Sequence, residues 1–210
     1  MNAPTHPVRA GTGSLSRAIG IVLFDDVEEL DAVGPWEVLS WWTRHHPEDG
    51  YAVSCVSLDT GPVRCARGMT IGVDHTIADA PPFDVLLHPG GNGTRRLIAD
   101  EGYLAWLRQR RLDVPLMTSV CTGALVYAAA GLLRGRPATT YWDAFDELAA
   151  LDPTVIPGPG DRFVDDGDVI TAAGVSAGID MALYLVARLA GVKRARQTRR
   201  GIQYDPQPPV

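Results

Sequence analysis

Short runs of consecutive apolar residues alternate along this chain with segments whose apolar positions recur every three to four residues. Residues 18–24 (AIGIVLF) form such a run, rich in β-branched side chains, which fits a strand covered on both faces as in a parallel sheet. The run ends in Asp25-Asp26. Pro35 then suits the first turn of a helix that carries Val38, Leu39 and Trp42 on one face and ends near His45. Residues 51–57 alternate as a strand does, and the stretches around Val63 and 69–73 form a hairpin or edge strands. Residues 83–88 predict another buried strand, closed by Pro89-Gly90-Gly91-Asn92-Gly93 and followed by helical sequence to Arg111. Residues 114–120 predict a further buried strand, and 124–130 a helix that stops at Gly131. After a short strand at 137–141 and a helix over 142–151, residues 162–165 and 168–171 pair through an Asp166-Gly167 turn. Ser176 is placed to cap a last amphipathic helix with Ile179, Leu183, Val186 and Leu189 on one face. Strands alternating with helices imply an α/β fold, a mainly parallel sheet sandwiched by helices, with one antiparallel hairpin.

Composition narrows the setting. A chain of 210 residues has room for one full core, and 46% hydrophobic with 21% charged residues is ordinary for a globular protein. The net charge of −6 argues against nucleic acid as the main partner, because phosphate binding needs a basic surface. The basic stretch 193–200 reads as a solvated helix face. Three cysteines do not make a disulfide framework, which points to a reducing compartment. Residues 1–17 lack the apolar core of a secretory signal and, with Pro4, Pro7, Gly11 and Gly13, predict a disordered tail. The expected domain spans 18–203, with a proline-rich tail at 204–210. No stretch approaches the ~18 apolar residues of a membrane span, so no membrane partner and a cytoplasmic location are expected.

The candidate chemistry centres on Ser119-Val120-Cys121-Thr122-Gly123. A cysteine here sits at a strand-to-helix turn flanked by small residues, the arrangement of a nucleophile elbow. The helix start supplies a positive dipole end and free N–H groups that favour thiolate. The competing reading is a small buried hydrophobe, the usual fate of a free cysteine. Cys55 and Cys65 have no helix start at elbow spacing and read as structural. The glycine loop at 90–93 places amides where a ligand can approach closely, or is an ordinary turn; in an open α/β sheet such loops gather at one edge. Asp31, taken alone, reads as a helix-capping carboxylate upstream of Pro35. His88 is read as a packed residue beside the glycine loop; His45 and His46 fall at a helix end, and nothing links His75 to the elbow. No spacing makes a metal site, and no cofactor is expected.

Taken in order, the acidic residue of Glu29-Leu30-Asp31, the Pro89-Gly90-Gly91 loop and the Cys121 elbow resemble the DJ-1/PfpI superfamily over residues 18–203. The resemblance implies a flavodoxin-like sheet and a homodimer. Within the superfamily the chain is most similar to the isocyanide hydratases, through Asp31 where many relatives carry glutamate, Thr122 directly after the cysteine, Ala138-Thr139-Thr140, Trp142 and Gly174-Val175-Ser176-Ala177-Gly178-Ile179-Asp180. Thr122 replaces the histidine of peptidase members, and Tyr141 replaces a histidine found in many others, so a carboxyl partner and no imidazole is implied. The Gly174–Asp180 pattern also resembles the ligand domain of AraC-type regulators. Eighteen residues after Val192 are too few for their DNA-binding region.

The implied reaction adds water to an isocyanide to give an N-formamide. Cys121 attacks the terminal carbon to form a thioimidate, and Asp31, its pKa raised beside the thiolate, serves as acid and base. Thr122 either bonds the carboxyl or substrate through its hydroxyl or merely begins a helix. Gly91 and Asn92 are candidate N–H donors to developing negative charge. Trp36, Tyr141, Trp142 and Val175 wall an apolar pocket for the substrate, or belong to a core or a dimer contact. The rivals are a glyoxalase or hydrolase acting on reactive carbonyl compounds, and a non-catalytic sensor in which Cys121 is oxidised as the signal.

Overall fold

The structure is a computed structural model that describes residues 17–207. Most of the N-terminal segment read as a tail, residues 1–16, lies outside the described residues, as do 208–210; Arg17 instead opens the first strand and pairs with Tyr51. Along the chain come β1 (Arg17–Leu23), α1 (Glu29–His45), a 3-10 turn (Pro47–Asp49), β2 (Tyr51–Ser57), β3 (Val63–Arg64), β4 (Thr70–Ile71), β5 (His75–Thr76) and β6 (Val85–His88). There follow α2 (Thr94–Ala99), α3 (Glu101–Asp113), β7 (Leu116–Val120), α4 (Gly123–Ala129), β8 (Pro137–Ala138), α5 (Phe145–Leu151), β9 (Ile156–Pro157), β10 (Phe163–Asp165), β11 (Val169–Ala172), α6 (Ala177–Ala190) and α7 (Val192–Gly201).

Seven strands form the central sheet in the order β10-β11-β7-β6-β1-β2-β5. All neighbours are parallel except β10 and β11, the hairpin turned by Asp166-Gly167. The apolar runs sit where such runs must: β6, β7 and β11 are buried along their whole length and β1 along most of it, because helices cover both faces. From β1 the chain moves first to β2 on one side and then to β6 on the other. The carboxyl ends of β1, β6 and β7 therefore open at the point where strand order reverses, the place at which α/β sheets bind ligands.

Several local expectations shift. Pro35 lies inside α1, one turn beyond the position expected, so the Asp31 carbonyl lacks the N–H that would close its turn. The long helical stretch to Arg111 is two helices, the second capped by the Asp100 carboxylate on the Tyr103 amide. Helix α5 starts at Phe145, leaving Trp142 in the preceding turn. Residues 156–157 add a short strand, β9, beside β8. Ser176 stands at the α6 N-cap position without making a cap bond. The basic stretch is α7, whose Arg194 pairs with Glu48 and Asp49. Among the described residues no helix is long and apolar enough to cross a membrane.

Candidate active site

The acid reaches the site because one loop fixes the start of α1. Gly90 accepts from the Glu28 amide at 2.9 Å and Gly91 bridges Val27, so the Pro-Gly-Gly turn and the β1–α1 loop behave as one unit. The first turn of α1 then delivers Asp31, fully buried, against Gly90, whose N–H donates to Oδ2 at 3.0 Å. Close approach is what the glycine permits. A Cβ on Gly90 would stand 2.5 Å from the Thr122 amide nitrogen and 2.9 Å from Asp31 Oδ2. The other carboxyl oxygen, Oδ1, is buried with no partner among the described residues.

The sulfur arrives from β7. Cys121 turns the chain with a φ of 58°, left-handed backbone that a non-glycine residue adopts only under constraint. Three bonds supply the constraint: its N–H is shared by the carbonyls of Ala172 and Ala173 at 3.0 and 3.1 Å, and its carbonyl accepts from Thr140 Oγ1 at 2.9 Å. Gly123 opens α4 against β6, where a Cβ would stand 2.2 Å from the His88 carbonyl oxygen. The strand, sharp turn and short helix make the elbow expected from the sequence.

The Cys121 thiol and the Asp31 carboxyl are near neighbours, and each bears on the other's protonation. Burial pushes Asp31 up to about 7, against the pull of the Gly90 N–H and the thiol. Burial, then the neighbouring Asp31 charge, pushes Cys121 up to about 12. The helix start does not deliver the ready-made thiolate anticipated for the elbow; only the Thr122 and Val175 amides oppose the loss of solvent. A base poised near neutrality therefore sits beside a thiol that keeps its proton.

The remaining expected residues divide. Thr122 is buried beside the cysteine, but its hydroxyl is committed to the loop: it accepts from the Gly91 N–H at 2.9 Å and lies 3.2 Å from the Gly91 carbonyl. It fastens the glycine turn to the elbow and makes no bond to Asp31. The same bond occupies the Gly91 amide, so the expected free donor is spent; Asn92 is exposed, and its carbonyl accepts from Arg95. Val175 acts through its backbone: its amide opposes the upward shift of both Asp31 and Cys121, from a residue held at a φ of 48°. This donor has no side-chain signature; the sequence offered Val175 only as an apolar wall. Tyr141 is half-buried and packs on Gly174; Trp142, 73% exposed, stands in solvent and walls nothing in this chain. Trp36 is half-buried beneath the Arg44 guanidinium.

His88 is fully buried and hydrogen-bonded at both ring nitrogens. The Pro89 carbonyl can only accept, so Nδ1 carries the proton, and Nε2 accepts from the Tyr103 hydroxyl at 2.9 Å. Burial pushes the ring down to about 4, which makes it a neutral packing residue. Cys55 and Cys65 are buried thiols pushed up to about 12 and about 11, again mainly by burial. Among the described residues no group of three or more His, Cys, Asp or Glu is arranged to hold a metal. Cys121 is 6% exposed, and the cleft of about 640 Å³ between Phe24, Asp26, Arg64 and Arg96 does not reach it. The cysteine is almost closed off from solvent.

A parallel sheet with a cysteine elbow facing a buried carboxyl defines a class of α/β proteins built around a single thiol. The chain belongs to the DJ-1/PfpI family, which matches residues 17–188. It is 39% identical to an isonitrile hydratase of Pseudomonas putida over 91% of this chain and 80% of that one. It is 33% identical to the HTH-type transcriptional regulator CdhR of Pseudomonas aeruginosa over 80% of this chain, which spans 48% of the regulator. Among solved structures, a THiJ/PfpI family protein from Pseudomonas syringae superposes with a TM-score of 0.85 at 33% identity, covering 93% of this chain and 78% of that one.

Proposed function

We propose that the protein is an isocyanide hydratase that converts R–N≡C and water into an N-formamide, R–NH–CHO. What supports this reading is the neighbouring Cys121–Asp31 pair, with a carboxyl raised to about 7 and, among the described residues, no imidazole bearing on either group. The similarity to an isonitrile hydratase supports the same choice of substrate class. The near-complete burial of Cys121 favours a slender reactive group, and the isocyano group is linear with its electrophilic carbon at the tip.

In the first half of the reaction Cys121 Sγ forms a bond to the terminal carbon while Asp31 takes the thiol proton and passes it to that carbon. The product is a thioimidate, R–N=CH–S–Cys121, with no net change of charge. Asp31, ionised again, then accepts a proton from a water that attacks the same carbon. Collapse of the adduct breaks the C–S bond, places one proton on nitrogen, and returns the other to the thiol–carboxyl pair. The Val175 and Gly90 amides keep the ionised partner stable at each stage. The protein is read as cytoplasmic from its sequence composition, and the assembly as a homodimer in line with the family resemblance.

A side-by-side assay of a small alkyl isocyanide and methylglyoxal, with Cys121→Ala as control, tests the reading. Formamide formation that disappears in Cys121→Ala, without methylglyoxal consumption, is the expected result. Methylglyoxal consumption without formamide would replace this reading with carbonyl chemistry, and a folded, readily oxidised protein inert toward both would replace it with sensing.

A further inference from the structure

The segment that carries Val175 meets the elbow directly, since the Ala173 carbonyl accepts from the Cys121 N–H at 3.1 Å, and the Val175 amide favours the ionised form of both reacting groups. Its φ of 48° is a backbone conformation that a β-branched residue does not hold unaided. Something outside the site must hold it there, and the surroundings of residues 173–180 show one candidate. Arg162, at the start of the β10 hairpin, grips this segment on both sides of Val175. Its backbone carbonyl accepts from the Ala173 N–H at 3.0 Å, and its guanidinium donates to Ser176 Oγ at 3.3 Å through both terminal nitrogens. Ser176 makes no cap bond to α6, so its hydroxyl is left to take this role. The guanidinium is itself held: Nε donates to Asp180 Oδ2 at 2.7 Å, a second nitrogen reaches the same oxygen, and Oδ1 of Asp180 accepts from the Tyr204 hydroxyl at 2.9 Å. Tyr204 is anchored in turn, its N–H on the Arg199 carbonyl and its own carbonyl accepting from Arg199 Nε. The last face is closed by Tyr141, whose ring leaves no room for a Cβ on Gly174.

We propose that Arg162, braced by Asp180 and by Tyr204 of the C-terminal segment, is a positioning residue that keeps the Val175 N–H aimed at the Cys121–Asp31 pair. None of the three touches the reacting atoms; they act through the backbone they hold. The proposal rests on the functional reading above only for what the aimed amide accomplishes. The charged groups that bear on the pair itself are Asp31 and Glu28, both at the start of α1, and neither Arg162 nor Asp180 is among them, so the brace acts through geometry.

The test is a ¹³C NMR titration of the Asp31 carboxyl, assigned with Asp31→Asn, in the full chain and in Arg162→Gln and Tyr204→Phe, with formamide kinetics on the same proteins. Moving the Val175 N–H away from the ionised carboxyl raises the Asp31 midpoint, by about one pH unit if its influence is lost outright in Arg162→Gln. Tyr204→Phe, which removes one hydroxyl, gives a smaller rise in the same direction. The kcat of Arg162→Gln drops about tenfold with KM nearly unchanged. In a Val175→Gly background, where left-handed backbone costs nothing, Arg162→Gln has a reduced effect on the midpoint. Folded Arg162→Gln and Tyr204→Phe proteins with the parent's midpoint and kcat would overturn the proposal. A shifted midpoint in a protein with no isocyanide turnover in any form would leave the brace standing and remove the hydratase reading instead.

Discussion

Cys121 and Asp31 divide one proton's work between them, which fixes how activity responds to pH. With the carboxyl at about 7 and the thiol far above it, the pair holds a single proton from pH 7 to beyond pH 10. Below 7 the second proton removes the base. We expect kcat/KM to rise about tenfold per pH unit up to 7 and then stay level, a profile measured with one isocyanide in overlapping buffers. A falling limb near pH 8 would show that a different group supplies the proton. Asp31→Asn keeps the shape and loses the base, so turnover falls by about 10²–10⁴-fold, while Asp31→Glu keeps part of it if the longer side chain still reaches the sulfur. At this scale the sequence was informative about side chains and silent about backbone. A cysteine between an apolar run and a glycine announces an elbow, and the resemblance singled out the acid. The Thr122 hydroxyl could not be placed, because its partner Gly91 lies on a different loop, and the Val175 amide has no side chain to read.

Elements meet at this site through glycines, and their role differs from the one the sequence suggested. Three glycines after a strand read as a loop open to a ligand; in the fold, Gly90 and Gly123 let three backbones, the glycine loop, the elbow and the start of α1, touch without side chains between them. Gly90→Ala is therefore expected to push the Thr122 amide and the Asp31 carboxyl aside. Stability should drop by about 1–3 kcal/mol, the usual cost of overpacking, and turnover should fall further than stability alone explains, because the thiol–carboxyl contact opens. Urea melts and kinetics on the same preparation check this; an alanine variant with the parent's midpoint and kcat would mean the loop yields freely. Strand and helix identities came through well because a buried parallel strand is an unbroken apolar run. Boundaries failed where the signal was a single residue with two meanings: Pro35 is compatible with a first turn and also with an interior position whose lost bond falls on Asp31, and Trp142 is apolar yet sits exposed before α5.

For the molecule as a whole, the site carries a stability cost that pH can reveal. Asp31 is raised to about 7 from 3.8, so between those values the native protein holds a proton that the unfolded chain has released, and stability falls as pH rises through this window. His88 works the other way. Lowered to about 4 from 6.5, it leaves the unfolded chain with the extra proton, so its contribution to stability grows as pH rises from 4 to 6.5. The two slopes oppose each other across nearly the same range and largely cancel, and neither is visible in the parent alone. Asp31→Asn removes one of them. The difference in unfolding free energy between this variant and the parent should be small at pH 4 and move in the variant's favour as pH rises, reaching about 4 kcal/mol near pH 7. In the variant itself the His88 contribution then appears as a gain of about 3 kcal/mol between pH 4 and 6.5. Chemical denaturation at half-unit intervals measures both. Parallel curves for parent and variant would mean that Asp31 titrates in the folded protein as it does in the unfolded chain, and the raised carboxyl basicity on which the proposed chemistry runs would not be there.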